Sequence, residues 1–162
     1  MASRPVFRPA SKYNFPSSLQ TQAIDALRQT SDSGFIILPC GVGKTFLLVQ
    51  AILDLPPGCS VLALVYEKLA VQQLTNVLKH ETTFPKHRIC VYGADRRDKL
   101  PPQSISTSRL IISTYGALAT SAPAGSASLL AQQTIKEQRY NLLLLDECHH
   151  SAAPTYRALI ES

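Results

Sequence analysis

Hydrophobic positions fall along this chain in two alternating patterns. Five short runs are apolar at nearly every position: Phe35–Leu38, Val61–Tyr66, Ile89–Tyr92, Leu110–Ser113 and Leu142–Leu145. Runs of that length and composition predict strands buried on both faces. Between them the apolar residues are spaced as on a helix. Ser17–Gln29 sets Leu19, Ala23, Ile24 and Leu27 on one side. Lys44–Leu53 ends at Asp54 and the Pro56-Pro57-Gly58 turn, and Leu69–His80 and Leu129–Gln138 follow the same pattern. Residues 1–16, a turn at Ser31–Gly34, the polar stretch 94–108 and the Ala/Ser/Gly-rich stretch 116–128 read as irregular, with a short helix after Pro154. Strands alternating with helices predict an α/β fold, a parallel sheet with helices on both faces. Its ligands belong at the carboxyl ends of the strands.

Composition narrows the class. A length of 162 residues with 45% hydrophobic positions suits one globular domain. No apolar run approaches the roughly 20 residues of a membrane span, and the N-terminus has no secretory stretch. Arg4, Arg8 and Lys12, with no acidic residue before Asp25, would suit a mitochondrial presequence, but Pro5, Pro9 and Pro16 oppose the amphipathic helix it needs. A net charge of +5 favours polyanions weakly and without sequence preference. Cys40, Cys59, Cys90 and Cys148 form no C-x-x-C pair. Cys148-His149-His150 are adjacent and so poorly placed to share one metal; free thiols in a reducing intracellular compartment are expected.

Two loops carry the candidate chemistry. Leu38-Pro39-Cys40-Gly41-Val42-Gly43-Lys44-Thr45 joins the first strand to its helix. Gly41 and Gly43 let successive N–H groups turn toward an anion, and the helix start adds the positive end of its dipole. Lys44 supplies charge for β- and γ-phosphates, and the Thr45 hydroxyl can bind Mg²⁺. Leu38 stands where the full phosphate-loop spacing has a glycine, so a plain glycine-rich turn remains the alternative. The second loop, Asp146-Glu147-Cys148-His149, follows the last strand. A carboxylate there is poorly solvated, and a Mg²⁺ held by Thr45 and phosphates would be the partner of Asp146. Glu147 would orient and deprotonate water. The bland alternative is a strand cap. No Asn-Lys-x-Asp guanine-reading motif occurs.

Together these residues resemble the superfamily 2 helicases. Asp146–His149 is a variant of their DExH box, and residues 38–45 are similar to motif I of the XPB-type helicases, the TFIIH translocase subunit and its relatives. Gln20-Thr-Gln-Ala-Ile24 resembles the stretch around the adenine-sensing glutamine. Residues 62–73 resemble motif Ia, and Ile111–Tyr115 resembles the I-S-T-Y of a nucleic-acid-contact motif. Cys148, Tyr156 and Arg157 also fit mitochondrial and restriction-type relatives.

The resemblance implies a RecA-like first helicase domain over residues 17–162 that binds ATP and Mg²⁺. Gln20, Pro39, Cys40, Gly41, Val42, Gly43, Lys44 and Thr45 would lie at the nucleotide, Thr45 and Asp146 at the metal, with Glu147 and Lys44 catalytic. Thr114, Tyr115 and His149 would contact nucleic acid or couple it to the nucleotide site. DNA is the implied partner, with RNA open, and the location intracellular: nuclear if XPB-type, mitochondrial or cytoplasmic otherwise. In the family a motif III strand follows the DExH box and lies between the phosphate-loop and DExH strands, and a second RecA-like domain follows it. Neither occurs within these residues, so the sheet is expected to be incomplete and the chain alone weak or inactive. A non-hydrolysing binding remnant, an RNA helicase and a restriction-type translocase are the alternatives. Lys86, Arg88, Arg96, Arg97 and Lys99 form a basic set that suits a solvated face or a nucleic-acid groove.

Overall fold

In the computed structural model, residues 4–29, 33–39, 41–93, 108–120 and 124–149 are described. Four strands, β1 (Val61–Val65), β2 (Ile89–Tyr92), β3 (Leu110–Thr114) and β4 (Leu142–Leu145), form one sheet in the order β2-β3-β1-β4. All pairings are parallel. Val61 lies opposite both Leu110 and Leu142, and Ile89 is also opposite Leu110. The strands therefore begin level, and their carboxyl ends open on one edge. This is the RecA-like α/β layer the sequence predicts.

The pleat sorts alternate residues to opposite faces. Val61, Ala63, Val65, Leu110 and Ile112 meet Val49, Ile52, Leu53, Val71, Leu74 and Leu78 on one side. These come from α2 (Lys44–Asp54), α3 (Lys68–Asn76) and the π-turn Val77–Glu81 that continues α3. Leu62, Leu64 and Ile111 meet Tyr115, Leu118, Ala131 and Ile135 on the other. Those belong to α4 (Tyr115–Ala119) and α5 (Ala127–Glu137). β1 and β3 are buried at every position, which is why they carry no alternating polar residue.

Arg109 pins the amino edge of the sheet. Buried, it donates to the carbonyls of Cys59, Leu55 and Pro56 at 2.9, 3.1 and 2.8 Å, and its guanidinium lies 5.5 Å over the Phe84 ring. These carbonyls trail the C-terminal end of α2, where orphan acceptors and the negative end of the dipole suit a cation. Burial still pulls the guanidinium below its ordinary value.

Three expectations are corrected. Residues 33–39 form no strand: Phe35 is 84% and Ile37 93% exposed, and only Leu38 packs inward, against the cluster of Ala23, Ile24, Phe46 and Leu47. A strand exists through its ladder, and β4 pairs only with β1 among the described residues. The stretch expected to be loop from 116 contains α4, capped where the Thr114 hydroxyl accepts from Ala117 N at 3.2 Å. Alanines favour the helix once the cap is made. α5 likewise begins at Ala127, capped by the Ser126 hydroxyl. Gln132 ties these helices together by donating to the carbonyls of Ala117, Leu118 and Thr120.

The N-terminal segment, read as irregular, is built into the domain. Phe7 bridges antiparallel to Thr82, Arg8 N donates to Glu81 O, and Thr83 N donates to Val6 O. The Phe7, Tyr13 and Phe46 rings stack with centroids 5.5–6.0 Å apart. Residues 150–162, with the helix expected after Pro154 and with Tyr156 and Arg157, lie outside the described residues.

Candidate active site

The loop before α2 takes its shape from two glycines. Gly41 and Gly43 have φ of 81° and 85°, in the left-handed region that side-chain-bearing residues avoid. Gly43 is constrained a second way: a Cβ there would lie 2.5 Å from Gln20 Nε2. That nitrogen donates to the Val42 carbonyl at 2.8 Å. Gln20 belongs to α1 (Ser18–Gln29), whose start it also caps. Its Oε1 accepts from Ser17 N at 2.8 Å, while its own N donates to Ser17 Oγ at 3.3 Å. This reciprocal capping box orients the amide so that its free end reaches the loop. Gln20 thus sits against the glycine loop, holding backbone through both ends of its amide. α2 starts at Lys44 with no side-chain cap on its N-terminus, the arrangement an anion can complete.

The acidic pair arrives from β4. Asp146 N donates to Leu64 O at 2.9 Å, extending the parallel ladder to the sheet edge. The chain then turns sharply: Glu147 has φ 52°, the sole left-handed non-glycine among the described residues. Its N–H donates to Asp146 Oδ1 at 3.1 Å. That turn swings its carboxylate to Lys44, with Nζ 2.7 Å from Oε1, joining residues 103 positions apart. His149 stands on the far side, Nδ1 3.5 Å from Glu147 Oε2.

Burial pushes the Asp146 carboxyl above the usual carboxylate range, and the charge of Glu147 adds to this against the opposing pull of Lys44. An anion so placed is only partly compensated and suits a cation. The Asp146 carboxylate and Thr45 hydroxyl are hard oxygen donors, the ligand type Mg²⁺ takes when phosphates and water complete its shell.

The nucleic-acid set divides. Tyr115 is wholly buried and its hydroxyl donates to the Asp146 carbonyl at 3.1 Å. Burial, then Cys148, Asp146 and Glu147, hold its phenol far above the ordinary range, so it stays a donor. Thr114 is buried and its hydroxyl caps α4. Neither side chain presents itself to a nucleic acid: a strand end carrying Thr and Tyr reads alike in sequence whether it faces out or in. His149 is exposed beside Glu147. Lys86 and Arg88 lie exposed on one 3-10 turn, whereas Cys40, Arg96, Arg97 and Lys99 lie outside the described residues. The role of Tyr115 toward Asp146 carries no motif signature, whereas that of Ser17 toward Gln20 is signalled by the S-x-x-Q spacing of a capping box.

Residues 15–162 match the family described as the type III restriction enzyme, res subunit. The chain belongs to that family. Within it, the XPB resemblance drawn from residues 38–45 and 146–149 is borne out. The chain is 30% identical over 128 residues to the general transcription and DNA repair factor IIH helicase/translocase subunit XPB of Danio rerio. It is 30% identical over 131 residues to the corresponding subunit XPB2 of Arabidopsis thaliana. Each match covers 79% of this chain and 16% of the relative, so the chain spans about one sixth of those proteins. In fold it is similar to the UvsW helicase of bacteriophage T4, with TM-score 0.53 at 11% identity, over 89% of this chain and 57% of that one. No helix among the described residues is long and apolar enough to cross a membrane.

Proposed function

We propose that this chain is the ATP-binding motor domain of a superfamily 2 DNA helicase or translocase, with residues 17–162 as its first RecA-like domain and 4–16 as a docked brace. The observation that carries this reading is the 2.7 Å contact between Lys44 and Glu147, which unites the phosphate loop and the acidic turn at one sheet edge. Lys44 and the loop amides around Gly41 and Gly43 bind the phosphates. Thr45 and Asp146 hold Mg²⁺, which when bound neutralises phosphate charge. Lys44 exchanges its carboxylate partner for phosphate, and Glu147 is then released to orient water and take its proton. His149, against Glu147, relays the state of the nucleic-acid side. DNA is favoured as the partner because the XPB relatives are named for DNA repair and helicase/translocase work. An intracellular location follows from that partner.

Calorimetry of the natural full-length protein tests the assignment. Lys44→Ala should lower Mg²⁺–ATP affinity roughly ten- to a hundredfold, the worth of a charge-assisted phosphate contact. Equal binding by the variant and the natural protein would remove the phosphate-loop assignment. Glu147→Gln should bind ATP and lose hydrolysis by roughly a hundredfold or more. Retained binding without any turnover in the natural protein would favour a non-hydrolysing nucleotide-binding role instead.

A further inference from the structure

Tyr115 is the largest of the fully buried side chains among the described residues, and it stands in an apolar cluster with Leu62, Leu64, Leu118 and Ile135. Packing alone would be met by phenylalanine, so the hydroxyl calls for a reason. It spans from the end of β3, past β1, to the carbonyl of Asp146 at 3.1 Å. The peptide it reaches is the one joining Asp146 to Glu147. The other side of that same peptide is held too, since Glu147 N donates to Asp146 Oδ1 at 3.1 Å. The preceding peptide is fixed by the bond from Asp146 N to Leu64 O. A peptide is planar, so pinning its carbonyl and its N–H sets the plane from which Glu147 departs. Glu147 departs at φ 52°, a region a side-chain-bearing residue occupies only when its surroundings impose it. That same turn brings its carboxylate to Lys44.

We propose that Tyr115 is a positioning residue for Glu147: its hydroxyl clamps the Asp146–Glu147 peptide and thereby holds the Glu147 carboxylate in its working place. The proposal rests on the reading of Glu147 as the group that activates water. It gives the strand-end tyrosine a task inside the nucleotide site. It also links the position of α4, which Tyr115 opens, to that of the catalytic carboxylate.

The test is a double-mutant cycle in the natural full-length protein, following steady-state ATP hydrolysis with nucleic acid present. Tyr115→Phe keeps the ring and removes the clamp. Its kcat should fall on the order of tenfold, because a displaced catalytic group loses its alignment. Its KM for nucleotide should stay within about twofold, since the phosphate loop is untouched. Its melting temperature should drop by only about 2–4 °C, as for one hydrogen bond. In the Glu147→Gln background the same substitution should produce no further loss, because the two act as one unit. A Tyr115→Phe protein with unchanged kcat overturns the proposal. So does an equal fractional loss in both backgrounds, which is the mark of a role in packing only. Wild-type turnover by Glu147→Gln alone would instead remove the reading of Glu147 as base, whatever Tyr115→Phe does.

Discussion

The middle of the sheet and its β4 flank are made of similar residues and have different environments. β3 (Leu110–Thr114) is buried throughout, with neighbours on both sides and helices on both faces. β4 is four leucines in a row, yet Leu143 is 38% exposed and no position of the strand is fully buried. At its carboxyl end come the raised Asp146 carboxyl and the left-handed Glu147. Stability is concentrated where the ladder is complete, and the unfavourable features gather at the flank that carries the candidate chemistry. Leucine content does not decide burial; the number of sides on which a strand is covered does.

Truncations should expose that contrast most strongly. Ile112→Ala removes a fully buried side chain and should destabilise the chain by about 2–5 kcal/mol. Leu143→Ala on β4 should stay below about 1 kcal/mol. Urea melts of the pair measure the difference, and equal shifts in midpoint would mean the flank is covered as well as the centre. Arg109→Ala comes next, leaving the part-buried carbonyls of Leu55, Pro56 and Cys59 without their donor at about 1–3 kcal/mol for each that water does not reach. Lysine, a single point donor, should restore only part of this loss. A full rescue by Arg109→Lys would show that charge alone is needed there.

Asp146 sharpens the comparison through pH. Its folded pKa is raised, so the folded state holds the proton more tightly than the unfolded chain, and stability falls as pH rises through that window. The window begins near the unfolded aspartate value, about 3.9. In metal-free buffer Asp146→Asn should therefore raise the melting temperature at neutral pH, and the gain should fade as the pH is lowered through the window. A gain that is constant with pH would point to shape, and a loss at neutral pH would mean Lys44 outweighs burial. The smallest effect belongs to Ile37→Ser, expected within about 0.5 kcal/mol because the side chain meets solvent. A larger destabilisation would place residues 35–37 against something in solution.

Much of this was legible from local pattern. β1 and β3 announce themselves as uninterrupted apolar runs, and α2 follows from the turn chemistry of Gly41 and Gly43 and the stop at Asp54. Asp146 and Glu147 are set by position at the end of a strand, and Lys44 and Thr45 by the glycine turn that opens α2. What failed is what depends on partners distant in sequence. Phe35–Leu38 has the composition of β3 but no described neighbour to complete its ladder. Phe7 has no periodic context, and its packing depends on Thr82 and Phe46. Tyr115 follows a strand end, and whether it faces inward is decided by the space beneath Asp146. The turn at Glu147 was beyond reach because a glutamate does not advertise a left-handed backbone in the way a glycine does.

The stacked rings at the N-terminus have an optical consequence. The chain contains no tryptophan. An indole in place of Phe7 would therefore be the only one in these 162 residues, lying against Phe46 two residues beyond Lys44. Excited where its six tyrosines scarcely absorb, it would turn the docked segment into a built-in lamp on the first turn of α2. Under the proposed function, nucleotide arrival at Lys44 would then be readable as a change in emission colour, without a dye on the nucleotide.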